Sequence, residues 1–191
     1  MSSKADEVAG MLEDSTRALA ELGLHAAVIA DIAEMVAGAL RGGATLFLCG
    51  NGGSAAQCQH IAAEFTGRFR LDRHGFRAIA LTTDTSALTA IANDYGFENV
   101  FSRQLEALAK AGDVLIGLST SGGSKNVVRA FEEAAEIGVM TAAFVGPKGG
   151  ELAGMADACL AAPGEHTANI QECHIAALHA MCDLVERDLA S

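Results

Sequence analysis

Four side chains that could bind a metal or transfer protons recur at helical spacing in two distant parts of the chain. His60 and Glu64 are four residues apart and Gln171 and His179 are eight apart, so each pair lies on one side of its own predicted helix. Two imidazoles, a carboxylate and an amide oxygen could form a mixed nitrogen and oxygen site for zinc. Alternatively, each pair makes only solvated or intrahelical contacts, because spacing alone does not show that the two helices meet.

Two glycine-rich and hydroxyl-rich segments could bind a phosphorylated ligand. Residues 119–124 contain four hydroxyls and two glycines before a predicted helix, where hydroxyl and N–H donors and the positive end of the helix dipole favour an anion. Residues 50–54 open the helix that carries His60, with Ser54 as its predicted cap, and match neither the P-loop nor the dinucleotide fingerprint. Either segment could also be a plain turn, and residues 146–150 are interpreted as an ordinary turn.

Several further polar residues have weaker signals. Asn93 and Asp94 end a predicted helix, and an amide and a carboxylate suit sugar hydroxyls, although such pairs are also common in turns. Asp84 is the predicted N-cap of that helix. His174 is expected behind the site or in the core. The remaining histidines, His25, His74 and His166, are expected at the surface.

The pattern along the chain predicts an α/β fold that would position these residues. Short apolar runs alternate with helical patterns, which is typical of βαβ units and a parallel sheet. The predicted strands are 44–49, 76–81, 114–118, 140–145 and 158–161, and the predicted helices are 54–67, 85–92, 98–109, 124–137 and 168–189. We predict one domain over 1–191, with N-terminal helices in 1–41 broken at Gly23, and an α/β core in 44–191 that ends in a long helix. Ligands of such sheets bind outside the carboxyl ends of the strands.

Composition excludes several classes of protein. The 191 residues are 50% hydrophobic and 19% charged, which indicates a folded domain with a sizeable core. A net charge of −11 disfavours nucleic acid and anionic membranes as partners. Five cysteines without a Cys-x-x-Cys motif indicate reduced thiols. Because the chain opens without a leader and its apolar runs look too short to span a membrane, we expect a cytoplasmic protein.

Taken together, these motifs resemble the phosphoheptose isomerases, which are sedoheptulose-7-phosphate isomerases of the SIS domain superfamily. The resemblance covers essentially the whole chain. It rests on Cys49-Gly50-Asn51-Gly52-Gly53-Ser54-Ala55-Ala56, Gln59-His60-Ile61-Ala62-Ala63-Glu64-Phe65, Asn93-Asp94-Tyr95-Gly96, Ser119-Thr120-Ser121-Gly122 and Ile170-Gln171-Glu172-Cys173-His174 with His179.

The resemblance implies a flavodoxin-like three-layer α/β/α sandwich, a homotetramer with active sites between subunits, and one zinc ion per subunit. The implied reaction converts sedoheptulose 7-phosphate to D-glycero-D-manno-heptose 7-phosphate, the first step toward nucleotide-activated heptose for lipopolysaccharide and other surface glycans. Glu64 is the implied base at carbon and His179 moves protons at the oxygens. The implied zinc ligands are His60, Glu64, Gln171 and His179. The implied substrate contacts are Asn51, Gly52, Gly53, Ser54, Glu64, Asn93, Asp94, Ser119, Thr120, Ser121, Ser124 and Gln171.

Two alternatives remain within the superfamily. One is a non-enzymatic adaptor that binds the replication initiator DnaA; it resembles this chain but lacks the residues matching Glu64 and His179. The other is a sugar-phosphate-sensing regulatory domain, which usually accompanies a basic DNA-binding module, and no basic helical segment is present in this sequence.

Overall fold

One parallel sheet forms the centre of the molecule. The computed structural model describes residues 2–190. The strands are β1 (Leu46–Gly50), β2 (Ala78–Ala80), β3 (Val114–Ser119), β4 (Met140–Val145) and β5 (Ala158–Ala161), each within two residues of its predicted bounds. Their order is β2-β1-β3-β4-β5, which is the flavodoxin-like order. The order reverses between β1 and β3, so the segments that follow these two strands flank the crevice where such sheets bind ligands.

Seven α-helices surround the sheet. They are α1 (Lys4–Leu22), α2 (Ala26–Arg41), α3 (Gly53–Thr66), α4 (Thr85–Tyr95), α5 (Ser102–Leu108), α6 (Lys125–Ile137) and α7 (Thr167–Leu189). As predicted, the chain breaks at Gly23, where a 3₁₀ turn separates α1 from α2. The side chain of Asp84 accepts a hydrogen bond from the Ala87 N–H and caps α4, also as predicted.

Two local predictions were wrong. Gly52 rather than Ser54 occupies the N-cap of α3, because the helix begins one residue earlier and Ser54 lies buried inside its first turn. The single helix predicted over 98–109 is a 3₁₀ turn (Phe97–Asn99) followed by α5. The N–H groups of Asn99 and Val100 bond to carbonyls three residues back, and this tighter pattern separates the turn from the helix.

Alternate residues of the strands face two hydrophobic layers, which makes the fold a three-layer α/β/α sandwich. Leu48, Ile116 and Phe144 face α1, α2, α3 and α7. Phe47 and Leu115 face α5 and α6 on the opposite side. Every residue of β1 and β3 is buried, as expected for central strands covered on both faces.

The N-terminal helices depart from the expectation that every apolar run is too short to span a membrane. The helical stretch Lys4–Arg41 contains an 18-residue window with a mean hydropathy of 1.5, long and apolar enough to cross a membrane by length and composition alone. In the structure 39% of that window is buried, and α2 packs against α7 and β5, with Ile32 and Val36 inside the core. In α1, by contrast, Val8, Met11 and Leu12 are exposed.

Candidate active site

A cluster of serine hydroxyls lies at the carboxyl end of β3. The Ser119 Oγ is 2.8 Å from the Ser124 Oγ and 3.4 Å from the Ser121 Oγ. Ser124 is the N-cap residue of α6, but its hydroxyl faces Ser119 instead of the helix backbone. The first N–H groups of a helix lack intrahelical partners. Three hydroxyls and a helix N-terminus therefore lie together, and their binding of a phosphate stays a prediction.

Residues 146–152 pack against the backbone of residues 120–122, so the segment 146–150 is more than the ordinary turn that was predicted. The Gly146 N–H donates to the Thr120 carbonyl (3.1 Å), and the Leu152 N–H donates to the Gly122 carbonyl (3.0 Å). Gly122 has φ +66°, and a Cβ there would lie 1.9 Å from the Gly149 carbonyl oxygen. Glycine is therefore required at position 122 by both backbone conformation and close approach.

A reciprocal amide pair joins the segments that follow β1 and β3. The Asn51 Nδ2 donates to the Asn126 Oδ1 and the Asn126 Nδ2 donates to the Asn51 Oδ1, both at 2.8 Å. Asn126 lies buried in the first turn of α6. The Asn51 amide, predicted to contact substrate, is thus engaged in holding the two segments together. Asn126 was not identified from the sequence, because the residue that it pairs with is 75 positions away and no local pattern marks the pair.

The two pairs at helical spacing meet where α3 contacts α7. The Nε2 atoms of His60 and His179 are 2.8 Å apart, with the rings at 77° and their centroids 5.0 Å apart. The Glu64 Oε1 is 3.5 Å from the His60 Nε2. The contact between helices, which spacing left open, therefore places two imidazoles and a carboxylate together.

The surroundings of His179 favour its neutral form. Burial lowers the pKa of His179, the neighbouring His60 lowers it further, and the Glu64 carboxylate acts in the opposite direction. The Phe69 ring, which was not identified from the sequence, stacks on His179 with centroids 5.6 Å apart and an interplanar angle of 24°. A neutral imidazole can accept a proton near pH 7.

Gln171, the fourth predicted zinc ligand, contacts the first turns of α3. Its carboxamide covers the N-terminal end of α3, where a Cβ on Gly53 would be 2.8 Å from the Gln171 Oε1, and its Nε2 is 3.5 Å from the Ser54 Oγ. The Gln171 carbonyl accepts a hydrogen bond from the Gln57 Nε2 (2.7 Å). Its place in a ligand set stays a prediction.

The donor chemistry at His60, Glu64 and His179 fits zinc. Two imidazole nitrogens and a carboxylate are common zinc ligands. Among residues 2–190, no group of three or more His, Cys, Asp or Glu side chains is arranged to hold a metal ion. The Nε2 atoms of His60 and His179, 2.8 Å apart, would serve one ion together with the Glu64 carboxylate.

Asn93 and Asp94 lie exposed in the last turn of α4. The Asn93 Nδ2 donates to the Asp94 Oδ1 (2.8 Å). Within residues 2–190, no hydrogen bond joins either residue to the hydroxyl cluster or to His179. Their role in substrate binding stays a prediction.

His174 belongs to the core. It is fully buried, and its Nε2 is 3.1 Å from the Val145 carbonyl oxygen. Burial lowers the pKa of His174 to about 4, although the hydrogen bond with Val145 acts in the opposite direction. Of the other histidines, His74 and His166 are exposed and His25 is half-buried, and all five cysteines are free thiols in the described chain.

Comparison with known families identifies the class of protein to which this fold belongs. The SIS domain family model matches residues 12–146, so the chain belongs to the SIS domain family. The solved sugar isomerase domain of an RpiR transcription factor from Sphaerobacter thermophilus has the same fold, with 21% identity and a TM-score of 0.64 over 94% of this chain and 92% of that one.

Within this class, relatives of higher identity define the family more narrowly. The chain is 56% identical over 165 residues to the phosphoheptose isomerase of Roseiflexus sp., covering 86% of this chain and 84% of the relative. It is 50% identical over 178 residues to that of Akkermansia muciniphila, covering 93% of each. The solved phosphoheptose isomerase GmhA from Neisseria gonorrhoeae has 45% identity and a TM-score of 0.92 over 97% of this chain and 100% of that chain. The chain belongs to the phosphoheptose isomerase family.

These comparisons confirm the resemblance on which the predicted activity depends. A further solved phosphoheptose isomerase, from Francisella tularensis, has 34% identity and a TM-score of 0.94 over 97% of this chain and 100% of that chain. The adaptor alternative is not supported, because the relatives described above are named isomerases. Both residues that distinguish an enzyme from that adaptor, Glu64 and His179, are present, and each has an atom within 3.5 Å of the His60 Nε2.

Proposed function

We propose that this protein isomerises sedoheptulose 7-phosphate to D-glycero-D-manno-heptose 7-phosphate through an enediol. The observation that carries the proposal is the position of Glu64 and His179 beside the same His60 Nε2, where α3 contacts α7: the Glu64 Oε1 is 3.5 Å and the His179 Nε2 2.8 Å from that atom. A base and an acid on facing helices, with an anion site at the switch point of the same sheet, suit the isomerisation of a phosphorylated sugar. The names of the relatives supply the substrate class.

The hydroxyl cluster would bind the phosphate group of the sugar. Ser119, Ser121 and Ser124 donate through their hydroxyls, and the first N–H groups of α6 add the positive end of a helix dipole. These donors hold an anion locally in spite of the net charge of −11. Binding the phosphate far from the reacting carbons also orients the other end of the sugar.

Glu64 and His179 would carry the protons of the reaction. The Glu64 carboxylate removes a proton from C1, and the C–H electron pair becomes the C1–C2 double bond while O2 takes a proton. O1 then loses its proton as the C1 carbonyl forms, and C2 receives the proton held by Glu64. His179 passes the proton between O1 and O2. Each such acid–base contribution is worth about 10²–10⁴-fold in rate.

One zinc ion per subunit would be held by His60, Glu64 and His179, with Gln171 as the predicted fourth ligand. Bound zinc supplies a Lewis acid that polarises the sugar carbonyl. A carboxylate that ligates a metal is a weaker base, so Glu64 would be a ligand in the resting enzyme and be released when the sugar binds. The support for the metal is the donor chemistry of three converging side chains.

The proposal extends to assembly, location and pathway. The exposed apolar side chains of α1, including Met11 and Leu12, favour a homotetramer with active sites between subunits. The net charge of −11 disfavours nucleic acid and anionic membranes as partners, and the five free cysteines suit a reducing compartment such as the cytoplasm. The product would enter the synthesis of nucleotide-activated heptose for lipopolysaccharide or other surface glycans.

Replacing Ser124 by alanine is expected to raise KM for the sugar phosphate by about 10-fold or more, with a smaller change in kcat. A hydrogen bond to a charged group contributes about 1.5–3 kcal/mol, and the phosphate is bound equally in the ground and transition states. Steady-state kinetics checks this, with Ser86→Ala on exposed α4 as the matched control. An unchanged KM would place the phosphate elsewhere.

The proposed activity is tested by following sedoheptulose 7-phosphate with the purified protein by NMR, before and after chelation. Formation of an aldose phosphate, its loss on chelation and its return with zinc are the expected results. Aldose formation that survives complete removal of metal would contradict the role of zinc. Failure of a folded, zinc-supplied protein to form any aldose would contradict the isomerase itself.

A further inference from the structure

The segment that links α3 to β2, residues 67–77, docks along the face of α7 that carries His179. His179, Asp183 and Glu186 are spaced by four and three residues and therefore share one side of the helix. The Phe69 ring stacks on His179, and an Arg70 Nη1 lies 3.3 Å from the Asp183 Oδ1. The segment thus contacts α7 over two helical turns, starting at the imidazole.

Glu186 anchors the segment through its backbone. Its carboxylate accepts hydrogen bonds from the N–H groups of Phe69 (2.9 Å), Arg70 (2.7 Å) and Leu71 (2.9 Å). It also accepts one from the Arg73 Nε at 2.9 Å, and the two side chains are only 1% and 6% exposed. A charged pair this deeply buried is costly unless its hydrogen bonds are satisfied, and here they are.

Arg73 connects the same anchor to the helix that carries Glu64. Its Nη2 donates to the Glu64 carbonyl (2.9 Å) and its Nη1 donates to the Phe65 carbonyl (3.0 Å). A cation is favoured at the C-terminal end of a helix, where these carbonyls lack intrahelical partners. One guanidinium therefore holds the last turn of α3 and, through Glu186, the face of α7 with His179.

We propose that Phe69 is a positioning residue that fixes the plane of the His179 imidazole, and that the Arg73–Glu186 pair holds Phe69 in place. The inference rests on the proposed function, in which His179 moves protons at the sugar oxygens. A half-buried imidazole can rotate about two side-chain bonds, and the stacked ring removes part of that freedom. Misplacement of a reacting group by about 1 Å can cost about 10²-fold in rate.

The test replaces Phe69 by leucine and by tyrosine. In zinc-supplied protein, Phe69→Leu is expected to lower kcat about 10- to 100-fold with KM within about twofold, because the phosphate site is separate. Phe69→Tyr keeps the ring and should restore kcat to near the wild-type value. Leu71→Ala is the matched control, because this residue lies in the same segment with its side chain 41% exposed and bonds to Glu186 through its backbone.

A second readout is independent of turnover. In metal-free protein with ¹³C-labelled histidine, the NOE between the ring protons of His60 and His179 should weaken in Phe69→Leu and not in Leu71→Ala, because the His179 ring is no longer held in one plane. An unchanged NOE in Phe69→Leu would overturn the proposal, as would unchanged kcat in an active enzyme. If the wild-type protein has no isomerase activity, the proposed function fails, while the NMR comparison still decides whether Phe69 orients His179.

Discussion

The Glu64→Gln variant is expected to lose isomerase activity by about 10²–10⁴-fold in kcat while remaining folded. Glutamine has nearly the same shape as glutamate but cannot take the C1 proton. The fold should tolerate the change because the Glu64 side chain is 22% exposed and its backbone carbonyl remains bonded to Arg73. Rates of aldose formation, measured beside thermal unfolding, check this result.

The control for this variant is Glu132→Gln on α6, where the carboxylate forms a surface pair with Arg129 and is 43% exposed. It should leave both rate and stability nearly unchanged. Zinc content must be measured in parallel, because Glu64 is also a predicted ligand and the amide oxygen of glutamine is a weaker one. Full activity of Glu64→Gln with the normal metal content would contradict the assignment of the base.

Replacing Glu186 by glutamine is expected to lower the free energy of unfolding by about 3–5 kcal/mol at pH 7. Removing one partner of a buried ion pair leaves the other uncompensated, and Arg73 is 6% exposed. Glutamine keeps one acceptor oxygen for the three backbone N–H groups that the carboxylate now binds. Stability is therefore lost in both the ion pair and the anchored segment.

This loss should depend on pH in a defined direction. Burial alone would raise the pKa of Glu186, but hydrogen bonds from Leu71, Phe69 and Arg70 and the charge of Arg73 together hold it below its usual value. The carboxylate therefore stabilises the folded state above the pKa of the unfolded chain, about 4.3. That contribution is lost as the pH falls through the lower, folded pKa.

Denaturant unfolding of wild type and Glu186→Gln at equal protein concentration, at pH 7 and under acid conditions, checks this prediction. The difference in free energy should be full at pH 7 and should shrink below about pH 4. Glu172→Gln, at an exposed position of α7, is the control, and its free energy of unfolding should differ little from that of the wild type at either pH. A difference that grows in acid would contradict the depressed pKa of Glu186.

The elements of the fold were predictable because local patterns determine them. Apolar runs such as 114–118 mark central strands whose two faces are both covered, and β3 lies within one residue of that prediction. Helix starts were less certain, because any residue with a hydroxyl near a glycine turn can serve as a cap. For this reason the sequence predicts Ser54 as the N-cap of α3, whereas Gly52, with φ +56°, occupies that position.

The candidate site was predictable only in part. Spacing placed His60 with Glu64 and Gln171 with His179, but the meeting of α3 and α7 depends on how both helices pack on the sheet. The same limit applies to Arg73 and Glu186, which pair across 113 residues and carry no short-range signal.

The measurement that tests the account most directly is solvent exchange at the reacting carbons. Wild-type protein supplied with zinc is incubated with sedoheptulose 7-phosphate in deuterated water, and the sugar is followed by NMR beside Glu64→Gln. The account predicts that the wild type forms the aldose phosphate. Deuterium should enter at the former carbonyl carbon to the extent that the transferred proton exchanges with solvent. The variant should form no aldose phosphate and incorporate no deuterium. Folded wild-type protein that forms no aldose and exchanges no carbon-bound proton would contradict it.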